Sequence, residues 1–293
     1  MFSLPLFIDV LIGGLILGLL YSLLAAGLNL QYGVTRILNV AYGDFLMFGA
    51  YITYFCFVLF GVDPFLSLVI TGPALFVIGM IINMGIFHKV IRVSKSVEEL
   101  EFRSLLVCFG LSFAVQNMAA ALWTANYRAY SAPLRESINV LGTVFELNRI
   151  VIATISVAIN LALYLFLRFT RLGLALRAVV DQPEGAQLAG VNIYRIHDIS
   201  FGLGLLLSAW AGTLVSILYS INPYMGTPYT LIALVTIILA GVGSFVGNIV
   251  AGLIMGFAVY VTMRLIHSAL TLIVIYIVLV VILLIRPRGL FKR

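Results

Sequence analysis

Residues 171–198 read RLGLALRAVVDQPEGAQLAGVNIYRIHD. This stretch, from Arg171 to Asp198, is a polar island in a chain built almost entirely of long apolar runs. Inside it, Asp181-Gln182-Pro183-Glu184 reads as a helix start and Gly190 as a helix stop. Asp181 is placed to cap free backbone N–H groups, and Pro183 suits an early helical position, where its missing N–H is not needed. The Asp-x-x-Glu spacing resembles a capping box, with Asp in place of Ser or Thr. Acids in the first turn also favour the helix dipole. Ala186, Leu188 and Ala189 continue the helix, and Gly190 supplies a left-handed residue to end it. On these grounds two readings stand side by side: an ordinary connecting loop carrying a short helix, or a helix built for contact with another protein.

The surroundings of the island set the fold class. Of 293 residues, 63% are hydrophobic and 10% charged, and the mean hydropathy is +1.17. A soluble domain carries roughly 25% charged residues. One globular core cannot hide this much apolar surface, so the solvent is lipid. A spanning helix needs about 20 mostly apolar residues. Such runs fall near 8–31, 44–61, 65–87, 104–124, 150–168, 198–221, 230–246, 248–264 and 270–285. The expectation is an all-α polytopic membrane protein with about 8–9 spans, one transmembrane domain over 1–293 and a polar loop at about 170–198. The mostly apolar link Gln31–Gly43 reads as a re-entrant or broken segment. The N-terminus reads as a first span, since no Lys or Arg precedes its apolar run.

The net charge of +6 follows from 17 basic and 11 acidic residues. In a membrane protein such an excess speaks of topology, not of nucleic acid. Twelve of the seventeen basic residues share one side: Lys89, Arg92, Lys95 and Arg103; Arg168, Arg171, Arg177 and Arg195; Arg286, Arg288, Lys292 and Arg293. That side is expected to be cytoplasmic, with the C-terminus. Arg128, Arg135, Arg149 and Arg264 then lie outside. Nine spans put the N-terminus outside, and eight with one re-entrant segment fit nearly as well. Small-residue spacings at Gly14/Gly18, Gly243/Gly247, Gly252/Gly256 and Gly204/Ser208/Gly212 point to close helix packing.

No catalytic constellation emerges. The chain has no P-loop, nucleophile elbow or zincin helix. Cys56 and Cys108 sit in apolar runs as packing residues. His88, His197 and His267 are far apart in sequence, which argues against a metal site. Ten of the eleven acids lie in loops or near helix ends; Asp44 does not. Two polar-aromatic segments stand at membrane depth, Tyr32–Asp44 and Tyr219–Gly226. Irregular backbone is tolerated there only against protein or a watery cavity. For the first, Arg36, Asn39 and Asp44 between apolar runs favour a cavity or mutual pairing; an ordinary interfacial turn also accounts for the second.

These residues carry a resemblance. Glu184-Gly185-Ala186-Gln187-Leu188-Ala189-Gly190 is similar to the E-A-A-x-x-x-G coupling loop of bacterial ABC importer permeases, with Gly185 in place of the first Ala. The Leu-Pro that follows in sugar-type permeases is absent. Tyr32-Gly33 through Asn39-x-Ala41-x-Gly43-Asp44, Arg171-x-Gly173-x-Ala175-x-Arg177-Ala178, Ile221-Asn222-Pro223-Tyr224-x-Gly226, Gly241-x-Gly243-Ser244-x-x-Gly247 and Arg286–Phe291 resemble the branched-chain amino-acid permease family, specifically its shorter permease type. Asp44 stands where Glu is usual. The resemblance implies an inner-membrane permease of an ATP-driven importer, not an enzyme. It implies a second permease subunit (a heterodimer), two cytoplasmic ATPase subunits and a periplasmic binding protein. It implies no cofactor of its own, ATP being bound by the partners. It assigns ATPase coupling to Asp181, Glu184, Ala186 and Gly190. It leaves open branched-chain amino acids, urea, short amides or aromatic acids as cargo. Asn39, Asp44, Asn222 and Tyr224 are the expected pathway lining. A stand-alone ion-coupled carrier or channel is the alternative.

Overall fold

The computed structural model describes residues 4–130, 134, 136–140, 143–286 and 289–291. Arg135, Pro287, Arg288, Lys292 and Arg293, used in the charge and motif readings, lie outside these residues. In chain order the helices are α1 (Leu4–Thr35), α2 (Tyr42–Phe60), α3 (Leu68–Ile82), α4 (His88–Val93), α5 (Val97–Trp123), α6 (Leu147–Phe169), α7 (Arg171–Asp181), α8 (Pro183–Leu188), α9 (Ile193–Leu218), α10 (Gly226–Ala240), α11 (Phe245–Val261) and α12 (Thr271–Ile285). A π-helical turn, Asn83–Phe87, joins α3 to α4, and a second, Thr262–Ile266, extends α11. Seven helical stretches are long and apolar enough to cross a membrane, and α10 and α12 are shorter apolar helices. Each of the nine expected runs falls mainly on helix, but the run 230–246 straddles the turn at 241–244 between α10 and α11. Between α5 and α6 an antiparallel hairpin, β1 (Ser137–Val140) with β2 (Thr143–Glu146), occupies what reads in sequence as a plain loop.

The chain divides into two compact units, residues 27–130 with 161–230, and residues 1–26 with 131–160 and 231–293. In the second, two of the small-residue motifs face each other. A Cβ on Gly256 would collide with Gly18, and one on Gly252 would stand 2.5 Å from Ser22. Without side chains at these positions the backbones of α1 and α11 approach closely, as packing in lipid requires. Asn160 adds an amide bond to Ser22 at 3.1 Å. Asp9 is held by Tyr260 and Arg264, at 3.0 and 2.8 Å. Gly243 departs from expectation. It sits in a turn at φ 83°, and Ser244 caps α11 through the Gly247 N–H. That Gly-x-x-x-Gly is a turn and cap, not a packing stripe.

In the other unit α9 is the central post. Gly212 and Gly204 admit α2 and the end of α1, and Ser208 donates to Tyr42 O at 2.8 Å. Thr213 gathers Thr53 (2.9 Å) and Thr71 (3.0 Å), and Ser67 joins through Thr53 at 3.1 Å. This hydroxyl network ties α2, α3 and α9 where lipid supplies no hydrophobic drive.

Candidate functional site

The polar island folds as two helices. Thr170 caps α7 through the Gly173 N–H at 3.0 Å. Asp181 is the last residue of α7, so it caps nothing at the start of α8; the N-cap position falls to Gln182, whose side chain makes no capping bond. The capping-box reading is thus corrected: with α7 already running through Asp181, that side chain belongs to the preceding helix. Pro183 does open α8, with Glu184 in its first turn. Gly190 ends it at φ 86°, in the left-handed region that a Cβ disfavours. Val191 N–H returns to Ala186 O at 3.0 Å, which closes the turn.

The side chains of α8 divide by face. Ala186 is buried with Val34, Leu176, Val179 and Ile196, so it seats the helix on its own chain and does not face outward. Glu184 and Gln187 are exposed, and Leu188 is 91% exposed. An apolar side chain that open, on a helix otherwise anchored, is the surface a partner would cover.

The second place is where the irregular segments meet. α1 ends at Thr35, and Arg36 takes the left-handed conformation at φ 57°. The chain is non-helical through Asn39, and α2 begins at Tyr42. The other segment, Tyr219–Met225, precedes α10. The two converge at glycines: a Cβ on Gly43 would collide with Gly226 O. The Gly43 N–H donates to Thr230 Oγ1 at 2.9 Å. Beside this junction Asp44 is 1% exposed. Its Oδ1 accepts the Gln116 amide at 2.9 Å, and that nitrogen also stands 3.2 Å from Ser112 Oγ and Thr227 Oγ1. Ser112 is a further side-chain hydrogen-bond neighbour of this carboxyl group, while Oδ2 itself has no partner of good geometry. Asn39 is fully buried and reaches Gln31 Oε1 at 3.5 Å. Asn222 is different: its Oδ1 accepts the Tyr224 N–H at 2.9 Å, an Asx turn that leaves Tyr224 50% exposed. Arg128 clamps this segment through paired backbone bonds to Ile221, at 2.9 and 2.8 Å. Tyr130 bonds Ser216 at 2.8 Å, and burial pushes its hydroxyl up to about 12. Of the four expected lining residues, two are buried near the junction and two form an outer turn.

Residues 10–283 match the family described as "Branched-chain amino acid transport system / permease component". The chain belongs to that family. It is 28% identical to the high-affinity branched-chain amino acid permease LivH of Escherichia coli K12, covering 98% of this chain and 96% of that one. It is 27% identical to BraD of Pseudomonas aeruginosa, with the same coverage. Among solved structures it resembles PsaBC from Streptococcus pneumoniae in complex with Fab, at a TM-score of 0.51 and 14% identity, over 95% of this chain and 92% of that one. This last likeness is one of fold. The permease is a multi-pass membrane protein and a transport subunit.

Sequence reading missed three features of this permease. Gln116 lies in an apolar run and gave no pattern. Leu188 reads in sequence only as a continuation of the helix. The third is a buried polar cluster. Asn83 Nδ2 donates to Asp198 Oδ1 at 2.7 Å, and His88 Nε2 stands 2.8 Å from the same oxygen without hydrogen-bond alignment. His197 is buried next door, its Nδ1 without a partner. A π-helical turn makes this possible. His88 N–H bonds back to Asn83 O, five residues earlier, which sets both side chains on one face. His88, far from α9 in sequence, thus reaches Asp198, although no group of three metal-ligating side chains forms among the described residues.

Proposed function

We propose that this chain is the permease subunit of an ATP-driven importer in the bacterial inner membrane, moving branched-chain or related amino acids inward by alternating access. Its partners are a second permease subunit, two cytoplasmic ATPase subunits and a periplasmic binding protein. It needs no cofactor of its own, since the ATPase subunits bind ATP. The C-terminus is cytoplasmic. The observation that carries this reading is α8: seated by Ala186, stopped by Gly190 and presenting Glu184, Gln187 and Leu188 outward. Asp181 is exposed at the helix junction and belongs to the same contact as its rim. Nucleotide closure in the ATPases pulls on this helix and shifts the bundle between two discrete arrangements.

Gly190→Arg tests it. A side chain at φ 86° strains the stop, and a long cation beside the contact blocks docking. Membrane insertion should persist, while ATPase co-purification and uptake fall to background. Uptake at the normal rate would refute the assignment. A buried intramembrane acid, Asp44, is the observation that favours an ion-coupled carrier instead. That reading requires uptake by vesicles holding this chain alone under an ion gradient; the importer reading requires none without ATPase and binding protein.

A further inference from the structure

Asp44 is a carboxylate in the wrong solvent. Its depth follows from its neighbour Tyr42, which accepts from Ser208 at 2.8 Å. Ser208 lies 15 residues into the 26-residue α9 and 10 from its end, about 23 Å and 15 Å at 1.5 Å per residue. Asp44 therefore sits well inside the span. Among the described residues, no Lys, Arg or His comes within 4.0 Å of its oxygens. The Gln116 amide meets Oδ1, Oδ2 is unpartnered, and the residue is 1% exposed. Against the sequence expectation Asp44 does lie near a helix end, in the first turn of α2, and the helix dipole eases part of the cost. Ionised and without a cation, the group would still carry the rest of that cost. A structural role would be served as well by an uncharged amide, which fills the same volume. A carboxyl group at the meeting point of two irregular segments, with one oxygen open, points to a cation that arrives and leaves.

From this we propose that Asp44 receives the cationic amine of the cargo during passage, with Ser112 and Gln116 holding the carboxylate in place and Thr227 steadying Gln116. The proposal rests on the importer reading and narrows its substrate class. Cargo would carry an ammonium, which has three donors and no acceptor and so complements an open carboxylate oxygen. Urea, short amides and aromatic acids without an amine lack that group. The interaction is brief by design: one charge-assisted contact, with no other charged group acting on Asp44 among the described residues, gives orientation without a deep trap.

The test uses the assembled permease complex, as wild type, Asp44→Asn and Asp44→Glu. Asn keeps the shape and the uncharged hydrogen bond; Glu keeps the charge. ATP-dependent L-leucine uptake should fall about tenfold or more in Asp44→Asn, as loss of one charged partner implies, and recover to within about threefold in Asp44→Glu, the side chain being one methylene longer. A second readout does not depend on turnover. In thermal unfolding of the purified complex without binding protein, L-leucine and 3-methylbutylamine should raise Tm of wild type, and 4-methylpentanoate should not. Asp44→Asn should lose both shifts. Wild-type uptake by Asp44→Asn would overturn the proposal, because it would show the group acts uncharged or structurally. Equal protection by 4-methylpentanoate, protection by Na⁺ alone, or no protection by any amine would overturn it as well. Absence of ATP-dependent uptake in wild type, with amine protection intact, would instead fault the importer reading.

Discussion

At the scale of single residues, α8 shows how one backbone is tuned by two glycines with opposite reasons. Gly190 is required by its φ of 86°. Gly185 is not: it is helical, and a Cβ there would meet the Gln182 side chain at 3.4 Å, an ordinary van der Waals distance. Gly inside a helix costs about 0.5–1 kcal/mol relative to Ala, mostly through the freedom of the unfolded chain. Gly185→Ala, which restores the first Ala of the coupling pattern, should stiffen α8 by about that amount and leave uptake at or above the wild-type rate. Hydrogen exchange of the α8 amides would check it, and faster exchange in the variant would refute it. Ala186 is a packing residue and Leu188 the exposed one, an assignment that helical geometry makes only once the neighbours of α8 are known.

At the scale of elements, the π turn between α3 and α4 sets the register of a helix junction. Five-residue spacing puts Asn83 and His88 on one face, and both meet Asp198 on α9, the helix that follows α8 in the chain. Removing the carboxylate strands a buried amide and a half-buried imidazole. Asp198→Ala should therefore destabilise the contact by about 3 kcal/mol, and Asp198→Asn, which keeps an acceptor for Asn83, by about 1 kcal/mol. Thermal unfolding of the purified permease in detergent should rank wild type above Asp198→Asn and Asp198→Ala lowest. Equal Tm for wild type and Asp198→Ala would show that the cluster ties nothing together.

For the whole molecule the open quantity is orientation. Nine crossings put the two ends on opposite sides; eight put them together. Phe7 lies in the first turn of α1 and Phe291 beyond the end of α12, so single cysteines there, in a background lacking Cys56 and Cys108, report the two ends of the chain to an impermeant maleimide. Phe7→Cys should label in intact cells, whereas Leu188→Cys and Phe291→Cys should label only after permeabilisation. Labelling of Phe7→Cys and Phe291→Cys from one side would refute nine spans.

Composition and hydrophobic length alone determined that the chain is all-α and membrane-embedded, because lipid leaves a backbone few ways to satisfy its own polar groups. Local chemistry determined Pro183 at the start of α8, Gly190 at its end and a break before α2, which the sequence placed from Gln31 and the structure places after Thr35. The tertiary structure decided the rest. It made Asp181 the end of one helix instead of the cap of the next, sent Ala186 inward, turned Gly243 into a turn residue and paired the Gly14/Gly18 and Gly252/Gly256 motifs across α1 and α11. It also brought Gln116 to Asp44, and Asn83 and His88 to Asp198. Each of these joins side chains across separations that no sequence period records. Whether a polar group in an apolar helix is paired or waiting for a ligand depends on what lies across from it, and only packing places that partner.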